Sequence, residues 1–317
     1  YPFLIMIFEK IHTVPTADEL INKAFRRASR ARKGKKFVSK KTSEGSMILT
    51  ASNILSDNLK NIVRRFPNFD DLSLFYRELT DILVGIDKLK MSLSSVDWAS
   101  KKIKEISRQY IGKLRKSKNP LLIRKSAYGR IASIMREIDS DLKFLNNARD
   151  VLRSLPDIMD EPTIVVAGYP NVGKSSFVSK VSSAKPQIST YPFTTKGIAV
   201  GHFVHNGIRY QVIDTPGLLD RPLSNRNKIE LQALQALKYL GHAILFILDP
   251  SETCGYSLNH QLNLLQEIKK EFNIPILVVA NKIDIVEFGD ADMVMSALTG
   301  DGVDEVLNKL IESCTVI

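Results

Sequence analysis

Residues 168–175, Gly-Tyr-Pro-Asn-Val-Gly-Lys-Ser, form a GxxxxGKS run. The apolar stretch Thr163-Ile164-Val165-Val166-Ala167 precedes it and Phe177-Val178-Ser179-Lys180-Val181 follows, so strand, glycine loop and helix are predicted in that order. The chemistry this arrangement suits is anion capture. Glycines at 168 and 173 let backbone N–H groups fold around phosphate oxygens, and the following helix turns its positive end toward them. Tyr169, Pro170, Asn171, Val172, Gly173 and Ser176 are the expected surround of the phosphates. Lys174 is placed to reach the β- and γ-phosphates, and Ser175 to hold Mg²⁺.

Three further motifs follow, each beside an apolar run. Tyr210-Gln211-Val212-Ile213 ends in Asp214-Thr215-Pro216-Gly217. Asp214 is expected to hold the water shell of Mg²⁺, and Gly217 to offer its N–H to a γ-phosphate. Ile276-Leu277-Val278-Val279-Ala280 leads into Asn281-Lys282-Ile283-Asp284. A carboxylate there can accept from the N1–H and exocyclic amine of guanine, a pair that adenine lacks, while the Lys282 stem can lie over the base. Ser296-Ala297-Leu298 is expected to present backbone N–H to the guanine O6. Between loop and second strand, Tyr191-Pro192-Phe193-Thr194-Thr195-Lys196 offers a metal-binding hydroxyl, and Thr195 is preferred to Thr194. Alone, Thr-Pro-Gly is a turn and Asn-Lys-Ile-Asp a strand-end loop. In this order behind the glycine loop, they imply guanine-nucleotide binding.

These residues need a scaffold, and the hydrophobic pattern predicts one. From residue 162 apolar strands alternate with helices: 163–168, 174–182, 197–204, 208–214, 229–240, 243–249, 258–272, 275–280, 293–296 and 302–313. That reads as a mostly parallel six-stranded sheet with helices on both faces. Before 160 the pattern is helical throughout, with helices expected at 17–32, 48–66, from Asp70 or Asp71 to Leu83, 96–114 and 121–155. Thr16 with Glu19 is a capping box. Phe66, Phe75, Tyr76, Trp98, Tyr110 and Phe144 fall at helical spacing and read as bundle core. An all-helical domain over 1–160 and an α/β domain over 161–317 are therefore expected.

The chain carries a formal charge of +11, unevenly placed. Residues 1–160 have a net +14 and residues 161–317 a net −3. Arg26, Arg27, Arg30, Arg32, Lys33, Lys35 and Lys36 form the densest cluster, and further cations run through 101–130. Each can neutralise a phosphate and release a counterion, so the first half is expected to meet a polyanion, through the backbone and shape of a folded RNA. Two cysteines in no framework spacing suggest a reducing compartment. With no stretch of about 18 apolar residues, an intracellular protein outside the membrane is expected.

The glycine loop, Tyr-Pro-Phe-Thr-Thr-Lys and Asp-Thr-Pro-Gly together resemble the Obg branch of the TRAFAC GTPases. Residues 8–20 (Phe-Glu-Lys-Ile-His-Thr-Val-Pro-Thr-Ala-Asp-Glu-Leu) and 125–156 resemble the Nog family, the nucleolar GTP-binding proteins and their archaeal relatives. The resemblance implies a P-loop GTPase domain, GTP and GDP with Mg²⁺, and a role in large ribosomal subunit assembly on pre-ribosomal RNA, with rRNA and assembly factors as partners. It implies a monomer, cytoplasmic in an archaeal setting and nucleolar in a eukaryotic one. Lys174, Asn171, Thr195 and Gly217 would carry hydrolysis. Related GTPases with an asparagine at position 171 imply a K⁺ ion beside the phosphates, and hence turnover that is faster in K⁺ than in Na⁺ at matched ionic strength. Where Ras-type enzymes place a water-orienting glutamine stands Leu218. Unaided hydrolysis is therefore expected to be slow, on the order of 10⁻⁴–10⁻² s⁻¹.

The sequence departs from the family in two places. The long C-terminal extension of eukaryotic members is not in it, and only residues 285–292 separate the Asp284 loop from the last strand. Loss of the γ-phosphate is expected to release the segments near Thr195 and Gly217. A membrane-peripheral regulator and a protein-binding regulatory GTPase are the competing readings.

Overall fold

The computed structural model describes residues 7–33, 39–156, 158–189, 191, 197–222, 226, 230–231, 234 and 236–314; within that range the side chains of Arg32 and Lys33 are not described. The chain divides into two compact units. One comprises Tyr1–Leu72 and Leu83–Arg153, the other Ser73–Ile82 and Ser154–Ile317. The expected boundary at 160 is thus drawn a few residues earlier, with one short helix assigned to the second unit.

The first unit is helical: α1 (Ala17–Lys33), α2 (Lys40–Arg65), α4 (Ile86–Lys116), α5 (Pro120–Glu137) and α6 (Asp139–Arg153). The helix α3 (Leu74–Leu83) belongs almost wholly to the other unit. The capping box forms as read: the Thr16 N–H donates to Glu19 Oε2 at 2.8 Å, and the Glu19 N–H to Thr16 Oγ1 at 3.4 Å. Ile48, Leu55, Leu59, Leu89, Ile103 and Leu142 are fully buried between the helices. Each contributes roughly 1.5–3 kcal/mol by leaving water.

Three helix boundaries differ from the apolar pattern. α2 begins at Lys40, capped by the Ser39 hydroxyl accepting from the Thr42 N–H at 3.2 Å. Its first two turns hide from periodicity because the buried position is filled by a charged residue, Glu44, which pairs with Arg124 of α5. α4 begins at Ile86 rather than 96, and one of its inward positions is Ser92, bonded to Asp141 at 2.8 Å. The single helix expected over 121–155 is two, broken at Ile138.

The second unit holds a seven-stranded sheet in the order β2-β3-β4-β1-β5-β6-β7. The strands are β1 (Thr163–Ala167), β2 (Gln187–Ser189), β3 (Ile198–His205), β4 (Ile208–Asp214), β5 (Ala243–Leu248), β6 (Ile276–Ala280) and β7 (Met293–Val294). β4, β1, β5, β6 and β7 run parallel; at one edge β3 pairs antiparallel with β4, and β2 antiparallel with β3. The extra strand is β2, three residues long with Ile188 exposed, too short to leave a periodic signal. β1 and β5 are buried along their whole length, which is why they read as continuous apolar runs. The helices α7 (Lys174–Val181), α8 (Leu258–Glu271) and α9 (Val303–Cys314) belong to the same unit. Of the expected helix at 229–240, residues 229, 232, 233 and 235 lie outside the described residues; residues 230, 231, 234 and 236 are helical and lead into a short 3₁₀ turn, Leu237–Tyr239.

The connection from β6 to β7 is made without a helix. The Asp292 N–H donates to the Val278 carbonyl at 3.0 Å and the Val278 N–H to Asp292 Oδ2 at 2.8 Å, so one aspartate knots the short crossover. α3 is held in the second unit by aromatic packing. Phase relations of the first-half aromatics are therefore mixed: Phe66 is buried in the bundle, Phe75 and Tyr76 are buried in the second unit, and Trp98 is 43% exposed. The Phe75 ring stacks on Tyr191 at 6.4 Å. The Tyr76 hydroxyl lies 2.8 Å from the Pro156 carbonyl and accepts from the Ile158 N–H at 2.8 Å.

Candidate functional site

The expected site residues gather beyond the carboxyl ends of β1, β4 and β6, where open α/β sheets bind ligands. Gly168 follows β1 with φ +132°, and a Cβ there would meet the Ile247 carbonyl at 2.5 Å. Gly173 opens α7 with φ +109°, and a Cβ there would lie 2.2 Å from Asn281 Nδ2. Both glycines are thus demanded by close approach as well as by backbone angle. Between them Asn171 sits exposed in the left-handed region at φ 62°. The Val172 side chain is fully buried, so it serves the loop through its backbone. Tyr169 is buried too, its ring 4.4 Å from that of Tyr256. Pro170 is half-buried, and Ser175 and Ser176 are exposed at the start of α7.

Lys174 is buried, and its ammonium donates to the carbonyls of Gly168 and Tyr169, each at 2.8 Å. Ser175 Oγ donates to Asp214 Oδ2 at 2.5 Å. Asp214 is 1% exposed, and its other oxygen, Oδ1, is buried with no hydrogen-bond partner among the described residues. A hydroxyl beside a carboxylate with an orphaned oxygen is a donor set that suits Mg²⁺, a hard cation that binds through one or two carboxylates plus phosphate. Thr195, the third expected metal ligand, lies outside the described residues, as does Thr194.

Burial pushes the Asp214 carboxyl above its usual range, against the Ser175 hydrogen bond and the charge of Lys174, which lower it. A carboxyl raised in the folded state favours folding only while protonated, and that contribution is lost as pH rises through the folded-state value. At neutral pH, where the unfolded chain carries this carboxyl ionised, Asp214 therefore costs the fold stability. Asp214→Asn is expected to raise the melting temperature of the nucleotide-free protein at pH 7 and to lose that gain below about pH 4, the unfolded carboxyl value. The same variant is expected to lose Mg²⁺-dependent tightening of nucleotide. A melting temperature unchanged or lowered at pH 7 contradicts the assignment.

Beyond β4, the Gly217 N–H donates to Asp220 Oδ2 at 2.7 Å, and Arg226 Nη1 donates to the Gly217 carbonyl at 2.8 Å. Leu218 and Leu219 are fully buried. Leu218 thus points into the core and offers nothing to a water molecule.

The residues expected to recognise the base are braced together. Asn281 Nδ2 donates to the Val172 carbonyl at 2.8 Å, and Asn281 Oδ1 accepts from the Ala297 N–H at 2.8 Å. One side chain therefore ties the phosphate loop to the loop after β7, and Asn281 positions its neighbours. The Ala297 N–H is spent on that brace and the Ser296 N–H on the Asp301 carbonyl at 2.8 Å. Of the three amides expected to face the guanine O6, this leaves that of Leu298, whose side chain is 81% exposed. Ser296 Oγ donates to Asp284 Oδ1 at 2.6 Å and orients the carboxylate, which is otherwise exposed.

Lys282 has φ 67° and its ammonium lies 2.5 Å from Asp249 Oδ2 and 2.7 Å from Thr253 Oγ1. Asp249, fully buried at the end of β5, escapes the sequence reading. Burial pushes its carboxyl up, but hydrogen bonds from Lys282, Ser251 and the Cys254 N–H outweigh burial and hold it below the usual range. Gln261 of α8 fixes the Asp249 backbone on both sides, at 2.8 and 3.0 Å. The signal available in sequence was an aspartate closing the apolar run Ala243–Leu248, the same position that Asp214 takes on β4.

In the helical unit, the cations concentrate at one end. α2 and α4 run antiparallel, as the Lys41 ammonium to the Arg115 carbonyl (3.1 Å) and the Ser52 hydroxyl to the Ile103 carbonyl (3.3 Å) show. α5 begins at that same end, where Arg124 meets Glu44 and Tyr128 Oη donates to the Met47 carbonyl at 3.2 Å. Lys40, Lys41, Arg115, Lys116, Lys118 and Lys125 are exposed there, and Arg26, Arg27 and Arg30 are exposed on α1. The one acidic residue among them, Glu44, is buried against Arg124. Lys35 and Lys36 fall outside the described residues; Arg32 and Lys33 lie on α1.

Comparisons with known proteins align with this division. A family model described as the NOG1 N-terminal helical domain matches residues 8–159, and one described as nucleolar GTP-binding protein 1 (NOG1) matches residues 228–284. An uncharacterized protein of Methanocaldococcus jannaschii is 42% identical over 289 residues, 88% of this chain and 81% of its own. Nucleolar GTP-binding protein 1 of Drosophila melanogaster is 37% identical over 292 residues, which cover 88% of this chain and 44% of that protein. The chain thus spans about half or less of the length of such eukaryotic relatives. A solved Plasmodium falciparum structure described as nucleolar GTP-binding protein 1 is 39% identical, covering 50% of this chain and 90% of its own, with a TM-score of 0.45. No helix among the described residues is long and apolar enough to cross a membrane. An N-terminal helical unit, a glycine loop on a parallel sheet, and identities of 33–42% over most of the chain together place it: the chain belongs to the NOG1 family of GTP-binding proteins.

Proposed function

We propose that this chain is a slow GTPase switch in large ribosomal subunit assembly, docked on rRNA by the cationic end of its helical unit. The observation that carries the reading is the bracing of Asp284, Asn281 and the 168–175 loop into one pocket edge. A carboxylate held by Ser296 suits the guanine N1–H and amine, and the Lys282 stem, pinned by Asp249, suits the base plane. At the other end of the pocket Lys174 and the α7 N-terminus suit the phosphates. Ser175 and Asp214 would hold Mg²⁺, which supplies charge neutralisation at the transferring phosphoryl group. Gly217 would contact the γ-phosphate, with Thr195 completing the metal shell.

Leu218, buried, supplies no water-orienting group, so hydrolysis by this chain alone is slow and needs charge from outside the Gly217 turn. Asn171, exposed at the loop crest, is the candidate ligand for K⁺ in that role. The assembly role is what the resemblance to the Nog family implies, and the exposed cations at one end of the helical unit support docking on a polyanion.

Cosedimentation with large ribosomal subunits over a range of salt tests the docking. Each phosphate contact contributes about 0.7–0.9 to the slope of log K against log salt. Replacing Arg26, Arg30, Lys116 and Lys118 with glutamine is expected to flatten that slope by about three. An unchanged slope, or binding to anionic vesicles in place of subunits, contradicts the docking.

A further inference from the structure

We propose that Asp220 is a built-in competitor of the γ-phosphate, a residue that sets the preference of this site between GTP and GDP. The inference rests on the GTPase reading and deepens it. Gly217 is the residue whose N–H a γ-phosphate would take, and in this structure that N–H already has an anionic acceptor: Asp220 Oδ2 at 2.7 Å. Its carbonyl is held from the other side by Arg226 Nη1 at 2.8 Å. Gly217 is thus held at its carbonyl by Arg226 and at its N–H by Asp220, three residues along the same turn.

One N–H cannot make a short linear bond to two acceptors, and two anions cannot share one donor without repulsion. A nucleoside triphosphate must therefore evict the Asp220 carboxylate from Gly217, whereas a diphosphate, lacking the third phosphate, leaves the contact in place. The cost of eviction falls on GTP alone. The evicted carboxylate has a destination. Arg226 is 8% exposed, and its Nε is buried with no hydrogen-bond partner among the described residues. Burial, then the charge of Arg221, lowers the Arg226 guanidinium, and Asp220 acts in the opposite sense, so the two are close enough to feel each other. Moving the carboxylate from Gly217 to Arg226 would satisfy that nitrogen and loosen Arg226 from the Gly217 carbonyl. Asp220 thereby couples arrival of the γ-phosphate to rearrangement of the turn.

The test is the affinity of the full chain for GDP and for GTPγS, with Mg²⁺, in the wild type, Asp220→Ala and Asp220→Asn. Asp220→Ala is expected to bind GTPγS at least about fivefold tighter and GDP within about twofold of wild type; a hydrogen bond involving a charged group is worth this much or more. Asp220→Asn retains an acceptor without the charge and is expected to fall between them, a guard against the alanine variant failing to fold. Equal gains for both nucleotides, no gain for GTPγS, or parallel losses that mark a merely structural turn would overturn the proposal while leaving guanine binding intact. A wild-type protein that binds neither nucleotide brings down the GTPase reading itself, and this inference with it.

Discussion

Asp284→Asn is expected to weaken binding of GTP and GDP alike by at least about a hundredfold, the loss that follows when two hydrogen bonds to a charged group, each worth about 1.5–3 kcal/mol, are removed. The carboxylate has one oxygen engaged by the Ser296 hydroxyl at 2.6 Å and is exposed on its other side, so it is oriented before a base arrives. The amide turns one acceptor into a donor, which then faces a guanine donor. A site built around a hydrogen bond penalises the mismatched partner more heavily than an apolar pocket penalises a missing methylene. The substitution also makes a positive prediction. Xanthine carries a carbonyl where guanine carries the exocyclic amine, so the asparagine N–H₂ meets an acceptor, and XTP is expected to bind the variant better than GTP. Ser296→Ala, which frees the carboxylate without removing it, is expected to cost much less. Titration calorimetry on the three proteins separates these outcomes, and equal affinity of wild type and Asp284→Asn for GTP would sink the assignment of the base site.

Glu44→Ala is expected to destabilise the helical unit by about 3–5 kcal/mol. Glu44 is 1% exposed and pairs with Arg124, itself 16% exposed, whose guanidinium lies over the Tyr128 ring at 5.1 Å. The Tyr128 phenol, buried beside this pair, is pushed up to about 12; Arg124 pulls the other way. Removing the carboxylate strands a cation among Tyr128 and the α2–α5 packing. A buried pair is costly to break and cheap to replace, so the double variant Glu44→Met/Arg124→Leu is expected to recover stability to within about 1 kcal/mol of wild type. The single tryptophan, Trp98 on α4, is in this unit and reports its unfolding in urea independently of the sheet. A double variant as unstable as Glu44→Ala would mean that the pair contributes more than mutual neutralisation.

The same pair explains where sequence reading stops. β1 and β5 were legible because a strand buried on both faces leaves an unbroken apolar run, and Gly168, Lys174, Asp214, Gly217 and Asp284 were legible because each lies at or shortly after the end of a predicted strand. The start of α2 was not legible, since Glu44 fills a core position and its partner lies 80 residues away. Asn281 reads in sequence as a nucleotide-binding residue, yet its side-chain amide is consumed in bracing Val172 to Ala297, 109 and 16 residues off. Asp249 closes an apolar run as Asp214 does, yet its role, like that of Asp220, was not legible from that alone. Their meaning lies in a partner, Lys282 or the Gly217 N–H, that no local pattern announces. α3 carries an ordinary helical stripe, and only the tertiary contacts of Phe75 and Tyr76 assign it to the unit with the sheet.

The central claim is that the strand ends from 167 onward form one pocket that holds a triphosphate by charge and selects guanine through Asp284. Titration calorimetry of the full chain with GTP and with ATP, both in Mg²⁺, tests it most directly. One GTP bound per chain, with ATP weaker by at least about a hundredfold, is the predicted result. ATP bound as tightly as GTP, or neither bound, contradicts it.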